Sequence, residues 1–204
     1  MAPQAPTLTS AAPRRRYRPR RLIAISIFSL FILLALIILI FYLSVRPRPI
    51  SFSVEDARIH NFNLSSSDTL NVTFHLALLA DNHRNHHLSI YYDSLGVAVW
   101  YADQMLAFRE LPPFHQPTRN VTRLVLAASA GAVPLFGSVA DGLKHDRSAG
   151  EVGVEIRVRA RVRFKVGAAK TKHYVLRAYC SPVVVRFWPA AGWSFQKTYC
   201  DTDV

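Results

Sequence analysis

An antiparallel β-sandwich of seven to eight strands, immunoglobulin- or fibronectin-III-like with one short helix, set behind a single transmembrane helix, is the fold that this chain of 204 residues predicts. Three observations carry the prediction. From Ile50 onward apolar and polar residues alternate with period two, the pattern of strands that bury one face. Turn-forming clusters recur about every dozen residues. Leu22–Leu43 is an apolar run interrupted only by Ser26, Ser29 and Tyr42.

Residues 1–13 have no periodicity and read as a disordered stub, which with Arg14–Arg21 makes a basic cytosolic tail, 1–21. The apolar segment 22–43 would be about 33 Å long as a helix, the thickness of a bilayer's hydrocarbon core. No ionised side chain interrupts it, as lipid requires. It exceeds the h-region of a cleaved signal peptide and no small-x-small site follows, so it reads as an uncleaved signal-anchor. Six arginines precede it, whereas Arg46, Arg48, Glu55 and Asp56 follow it. The positive-inside rule then puts the N-terminus in the cytosol and the body outside. Residues 44–49 are a linker stiffened by Pro47 and Pro49. Residues 50–204 suffice for one domain with its own core.

Within that body the alternation predicts strands at Ile50–His60, Leu70–Ala80, Leu88–Tyr92, Gly96–Tyr101, Gln104–Leu111, Asn120–Leu126, Val152–Val166 and Tyr174–Phe187. The clearest is Val152–Val166. Its even positions are Val, Ile, Ala and Phe, and its odd positions include Glu155, Arg157, Arg159, Arg161, Arg163 and Lys165. Asp81-Asn82, Asp103, Pro112-Pro113, Pro117 and Gly167 mark turns. Val133–Lys144 breaks the pattern with helical spacing, and Pro134 suits a first helical turn.

Of 25 Lys and Arg, six lie in the tail, and all 13 Asp and Glu lie beyond the apolar run. A basic tail beside an anchor serves topology and touches anionic headgroups. No aromatic-interleaved or zinc motif accompanies it, so nucleic acid is not the expected partner. Asn63, Asn71 and Asn120 each begin an Asn-x-Ser/Thr acceptor, all on the outer side. The two cysteines, Cys180 and Cys200, are also outside, where a disulfide could persist, and their flanking segments read as neighbouring strands of one hairpin. Two buried free thiols are the other reading.

The ladder Arg157, Arg159, Arg161, Arg163 and Lys165 is the sharpest surface feature. Its plain reading is a solvated sheet face. Its functional reading is a dock for acidic wall polysaccharide or anionic lipid headgroups. His83, His86 and His87 beside Asp81 match no closed metal set and read as a polar loop. There is no Gly-x-Ser-x-Gly, phosphate loop, His-Glu-x-x-His or dinucleotide fingerprint, so no enzyme, cofactor or metal is expected. Trp100, Trp188, Trp193, Tyr91, Tyr92 and Tyr101 read as core and rim.

A series of short motifs then appears in a specific order: Asp81-Asn82-His83-Arg84, Ser89-Ile90-Tyr91-Tyr92-Asp93, Leu111–Pro117, Val158–Gly167, Lys170–Tyr174 and Tyr179-Cys180. From Arg14 to Asp203 the chain resembles the plant non-race-specific disease resistance and harpin-induced-like proteins, whose outer part is a late embryogenesis abundant group 2 domain. The resemblance implies a small β-sandwich outside the plasma membrane, non-enzymatic, with protein partners in plant defence and stress signalling. One departure stands out. The family's Asn-Pro-Asn turn is here Asn82-His83-Arg84, with only the first position kept.

Overall fold

The computed structural model describes residues 19–45, 49–187 and 194–204. The tail before Pro19, residues 46–48 of the expected linker, and the segment 188–193 with Trp188, Trp193 and the expected Pro189–Gly192 turn lie outside them. The chain divides into two units, Met1–Arg46 and Pro47–Val204. In the first, α1 (Pro19–Val45) covers the expected span, and Arg20–Ile40 is long and apolar enough to cross a membrane. Its leucine, isoleucine and phenylalanine side chains from Leu22 to Ile40 are exposed around the whole helix, so it has no polar face to turn to water.

The second unit is built from β1 (Ser51–Leu64), β2 (Thr69–Asp81), β3 (Leu88–Tyr101), β4 (Gln104–Leu111), β5 (Phe114–Gln116), β6 (Val121–Pro134), α2 (Gly137–Ala149), β7 (Glu151–Val166), β8 (Ala169–Lys170), β9 (Tyr174–Phe187), β10 (Thr198–Tyr199) and β11 (Asp201–Asp203). The main path runs β4-β3-β7-β9-β1-β2-β6, with the short strands β5, β8, β10 and β11 added to it. Its end strands β4 and β6 pack beside one another. Gln104 links them, its Nε2 donating to the Pro134 carbonyl at 2.7 Å while its Oε1 accepts from the Phe136 N–H at 3.1 Å. The expected two-sheet sandwich is therefore corrected to one sheet curled into a nearly closed barrel. Period-two alternation tells which face is buried, but not whether the buried faces belong to two sheets or one.

Bulges do the curling and also explain the misplaced strand ends. The predicted break between Leu88–Tyr92 and Gly96–Tyr101 is one continuous strand with a register shift between Tyr92 and Ser94. Leu88, Ile90 and Tyr92 face inward before it, and Leu95, Val97 and Val99 after it. The extra residue, Asp93, is thrown outward. A similar shift at Glu55 moves the inward set of β1 from Phe52 and Val54 to Ala57 and Ile59. The turn Ala102-Asp103 has positive φ at both residues (44° and 61°), which suits the tight two-residue loop between β3 and β4.

The expected helix at Val133–Lys144 is also corrected. Val133 and Pro134 end β6, pairing with Leu70 and Thr69, and the helix begins only at Gly137. Pro134 lacks an N–H, which a strand terminus tolerates as readily as a first helical turn. α2 buries Val139, Ala140 and Leu143. It docks where Tyr101 Oη donates to Asp146 Oδ2 at 2.9 Å. A Cβ at Gly142 would lie 2.7 Å from that Tyr101 oxygen, which explains a glycine inside the helix.

β1 and β9 are the only parallel neighbours described, and they pair only at Arg58–Arg186 and Ile59–Phe187. Before that point they splay, and the C-terminal segment fills the gap. β10 pairs with β1 (Ser53–Tyr199, Val54–Thr198), and β11 pairs with β9 (Asp201–Tyr179, Thr202–Ala178, Asp203–Arg177). Between them the Cys200 N–H donates to the Phe52 carbonyl at 3.0 Å, and its sulfur is bonded to buried Cys180. The flanking segments are thus not one isolated hairpin, because the tail crosses from one strand to the other. With the cysteines 20 positions apart, the chain-entropy account gives such a bond about 3 kcal/mol. Cys200→Ser is expected to lower the unfolding free energy by about that amount in oxidising buffer. Added reductant should bring the wild type to the same midpoint and leave the variant unmoved. Equal stability with no effect of reductant would count against the bond.

Candidate functional site

β7 lies between β3 and β9, so its outward residues form the middle of an exposed face. The structure sorts the five cations of the ladder into two kinds. At one end Arg157 donates from Nε to Glu155 Oε1 at 2.7 Å and from Nη2 to Oε2 at 3.0 Å, and its guanidinium lies 4.2 Å from the Trp100 ring centroid. Towards the other end Arg163 donates from Nε to Asp93 Oδ2 at 2.8 Å, with a second bond to Oδ1. His173 Nε2 stands 3.3 Å from the same Asp93 carboxylate. The bulge in β3 is what aims Asp93 there. The Arg163 hydrogen bond holds the Asp93 carboxyl below its usual range, and the Arg157 hydrogen bond does the same for Glu155.

Arg159 and Arg161 differ. Both are exposed, and among the described residues neither has an ion-pair partner. On the β3 side they sit opposite Gly96 and Ser94, and on the β9 side opposite Arg177 and Val175. The small residues of β3 leave a basin of about 330 Å³ lined by Ser94, Gly96, Phe108, Glu110, Arg159, Arg161 and Val175. Phe108, on β4, is half exposed and lies over Gly96, where an added Cβ would come within 2.9 Å of its ring. Lys165 is half buried at the far end, opposite Ser89 and Lys170.

The other candidates scatter. Asn63 and Asn71 are exposed and face each other across the β1–β2 ladder, and Asn71 Oδ1 accepts from the Ala132 N–H at 2.8 Å. Asn120 is half buried, with its Oδ1 accepting from Thr122 Oγ1 at 3.0 Å. His83 pairs with Asp81 and His86 with Arg119. Burial alone would raise the Asp81 pKa, but the backbone and ring hydrogen bonds from His83 outweigh it and leave it lowered. Among the described residues no group of three or more His, Cys, Asp or Glu is placed to hold a metal ion.

Three of the short motifs, Asp81–Arg84, Ser89–Asp93 and Leu111–Pro117, converge on one buried knot. Asn82 Nδ2 donates to the carbonyls of Leu88 (2.9 Å) and Pro117 (3.0 Å), and its Oδ1 accepts from Asn85 Nδ2 at 2.8 Å. Gln116 Nε2 donates to the carbonyls of Ala80 (2.7 Å) and Asn120 (3.1 Å), and its Oε1 accepts from Tyr92 Oη at 3.1 Å. The Tyr92 ring stacks on Phe114 with centroids 4.3 Å apart. Burial pushes the Tyr92 hydroxyl pKa far up, so it stays a neutral donor. Asn82, the one retained position of the Asn-Pro-Asn turn, is the buried anchor, whereas His83 and Arg84 are exposed. Tyr91 and Trp100 line the rim, under Lys170 and Arg157 respectively. The buried amides of Asn82 and Gln116 could have been suspected only from their places inside the motifs, since polarity argues for the surface.

Comparison with known proteins bears on the body as a whole. The profile of the family described as Late embryogenesis abundant protein matches residues 78–178. NDR1/HIN1-like protein 10 of Arabidopsis thaliana is 30% identical over 87% of this chain and 80% of its own length. NDR1/HIN1-like protein 12 of the same plant is 32% identical over 79% of this chain and 78% of its own. NDR1/HIN1-like protein 1 is 32% identical over 85% and 83%. The profile match contains the knot and the basin but neither cysteine.

The Asp93–Arg163 contact sets a pH dependence. A carboxyl whose pKa is lower folded than unfolded adds stability above its unfolded value, near 4, and loses it as pH falls through the folded value. The wild type should therefore melt above Asp93→Asn at neutral pH. The gap should close as the solution is acidified below the unfolded range. A gap that is constant across that range would show that the ion pair is not its source.

Proposed function

The chain belongs to the NDR1/HIN1-like protein family, with a late embryogenesis abundant protein match over residues 78–178, and on that premise we propose that it is a single-pass plasma-membrane protein that acts by binding in plant defence and stress responses. Its N-terminus is cytosolic and its β body extracellular. The observation that carries the membrane placement is α1, apolar on every side over Arg20–Ile40. A helix with no polar face is poorly suited to lie free in water. The six tail arginines support the orientation.

Binding is favoured over catalysis because the buried polar knot is made of amides and a tyrosine hydroxyl that bond to one another and to backbone carbonyls. Their chemistry is that of a scaffold. The half-buried acids Glu155 and Asp93 on the basic face are taken up by Arg157 and Arg163. The alternative of a lipid or small apolar ligand held inside would need the space that Phe52, Phe74, Tyr92 and Leu176 occupy. Recognition on the outer surface fits the arrangement better.

Glycosylation supplies a test of placement. Asn71 is exposed with its Nδ2 unclaimed by the bond its Oδ1 accepts, Asn63 is exposed, and Asn120 is tied into the knot through its carbonyl. In plant cells, glycosidase treatment should increase gel mobility, and Asn71→Gln should remove one step of that change. A fluorescent tag at Val204 should be digested by protease added outside intact protoplasts, while an N-terminal tag survives. Survival of the C-terminal tag together with loss of the N-terminal one would overturn the orientation.

A further inference from the structure

We propose that the basin over Ser94 and Gly96 binds a linear acidic polysaccharide, with its carboxylates on Arg159 and Arg161 and a sugar ring against Phe108. The biological setting rests on the extracellular placement proposed above, but the binding is a property of the folded body.

Charge is the first argument. Arg157 and Arg163 are each held by a carboxylate, whereas Arg159 and Arg161 between them are exposed and, among the described residues, carry no ion-pair partner. Arg159 also lies directly opposite Arg177 in the β7–β9 ladder. Like charges at that position oppose pairing, so folding alone gives no reason to keep them. Three acids stand near, and one of them, Asp93, is bonded to Arg163 while its charge also reaches Arg161. Glu110 is on the basin rim, and Asp203, opposite Arg177, has its carboxylate on the Val204 N–H. An added anion would relieve the excess of positive charge.

Shape is the second. Same-face residues along a strand are about 6.6 Å apart, so these cations stand in a row instead of converging. A single phosphate is best met by converging donors, while a polymer with carboxylates along its length is met by a row. The planar guanidinium fork matches a carboxylate with two parallel hydrogen bonds. Glycine at 96 lets the Phe108 ring approach β3 closely, and Ser94 keeps the floor low. That places an exposed apolar ring beside the two guanidinium groups, an arrangement for a ring that is apolar on one face and acidic at its edge.

The test uses the full chain in phosphatidylcholine nanodiscs, with polygalacturonate as the probe and interferometry as the readout. Binding that weakens with added salt is expected. Arg159→Gln with Arg161→Gln should reduce the affinity about tenfold or more, the scale of lost charge-assisted hydrogen bonds. Phe108→Ala should reduce it about threefold. Arg123→Gln, on β6 and paired with Glu55, should leave it unchanged. The glutamine substitutions remove repulsion at the surface and should keep the melting midpoint, and Phe108→Ala gives an independent reading. Undiminished binding by both variants, equal binding of a fully methyl-esterified polymer, or capture by phosphatidylserine nanodiscs in place of polygalacturonate would each overturn the proposal. Because the protein is purified, a failure here leaves its cellular orientation untouched, and a reversed orientation would leave the binding intact.

Discussion

The seam between β1 and β9 is the constraint on which the body depends. Strands β4, β3, β7 and β9 are joined to one another by antiparallel ladders, and so are β1, β2 and β6. Among the described residues the two groups meet on one side through a two-residue parallel contact, the Phe62–Phe187 ring pair and a C-terminal tail that pairs with both. On the other side they meet through Gln104. Loosening the tail would leave two groups of strands facing each other across a shared apolar interior. The disulfide ties that tail at Cys200, the point where it leaves β1 and reaches β9. Its value is therefore more than loop closure, since the residues it fixes supply the backbone partners that splayed strands would otherwise lack.

Much of this was legible because burial dictates alternation. β4 and β9 occupy the ranges predicted for them, and β7, whose inward face alternates cleanly from Val152 to Val162, differs by a residue. What the pattern hid was phase. Asp93 and Glu55 each insert one residue; at Asp93 a reading by period two sees an ending where the strand continues, whereas the expected strand Ile50–His60 runs straight through Glu55. The tail was hidden for a different reason. β10 and β11 are two and three residues long, too short for any period, and they exist because the gap exists. The sandwich expectation failed at the same place, for nothing local in Thr198–Asp203 announces that it pairs with two strands distant in sequence.

The candidate site divides in a similar way. The ladder on β7 could be read directly, but its division into held and free arginines could not. It depends on a bulge that delivers Asp93 and on a neighbour, Glu155, two residues away on the same face. Phe108 carried no signal of its own, because an aromatic residue on a predicted strand is more often core, and only Gly96 beside it leaves the ring outside. Three of the short ordered motifs, those around Asn82, Tyr92 and Gln116, are architecture. Tyr92 donates to Gln116, Asn85 donates to Asn82, and the Asn82 and Gln116 amides donate to the carbonyls around them, which fixes the end of the barrel and leaves recognition to the outer face of β3, β7 and β9.

The most direct test of this account is the pairing of the tail, read from cross-strand nuclear Overhauser effects in the labelled full chain. The account predicts contacts between Thr198 and Val54, and between Thr202 and Ala178, with slowly exchanging amides in both short strands. Direct contacts joining Ser53 and Val54 of β1 to Ala178 and Tyr179 of β9, with residues 198–203 exchanging freely, would contradict it.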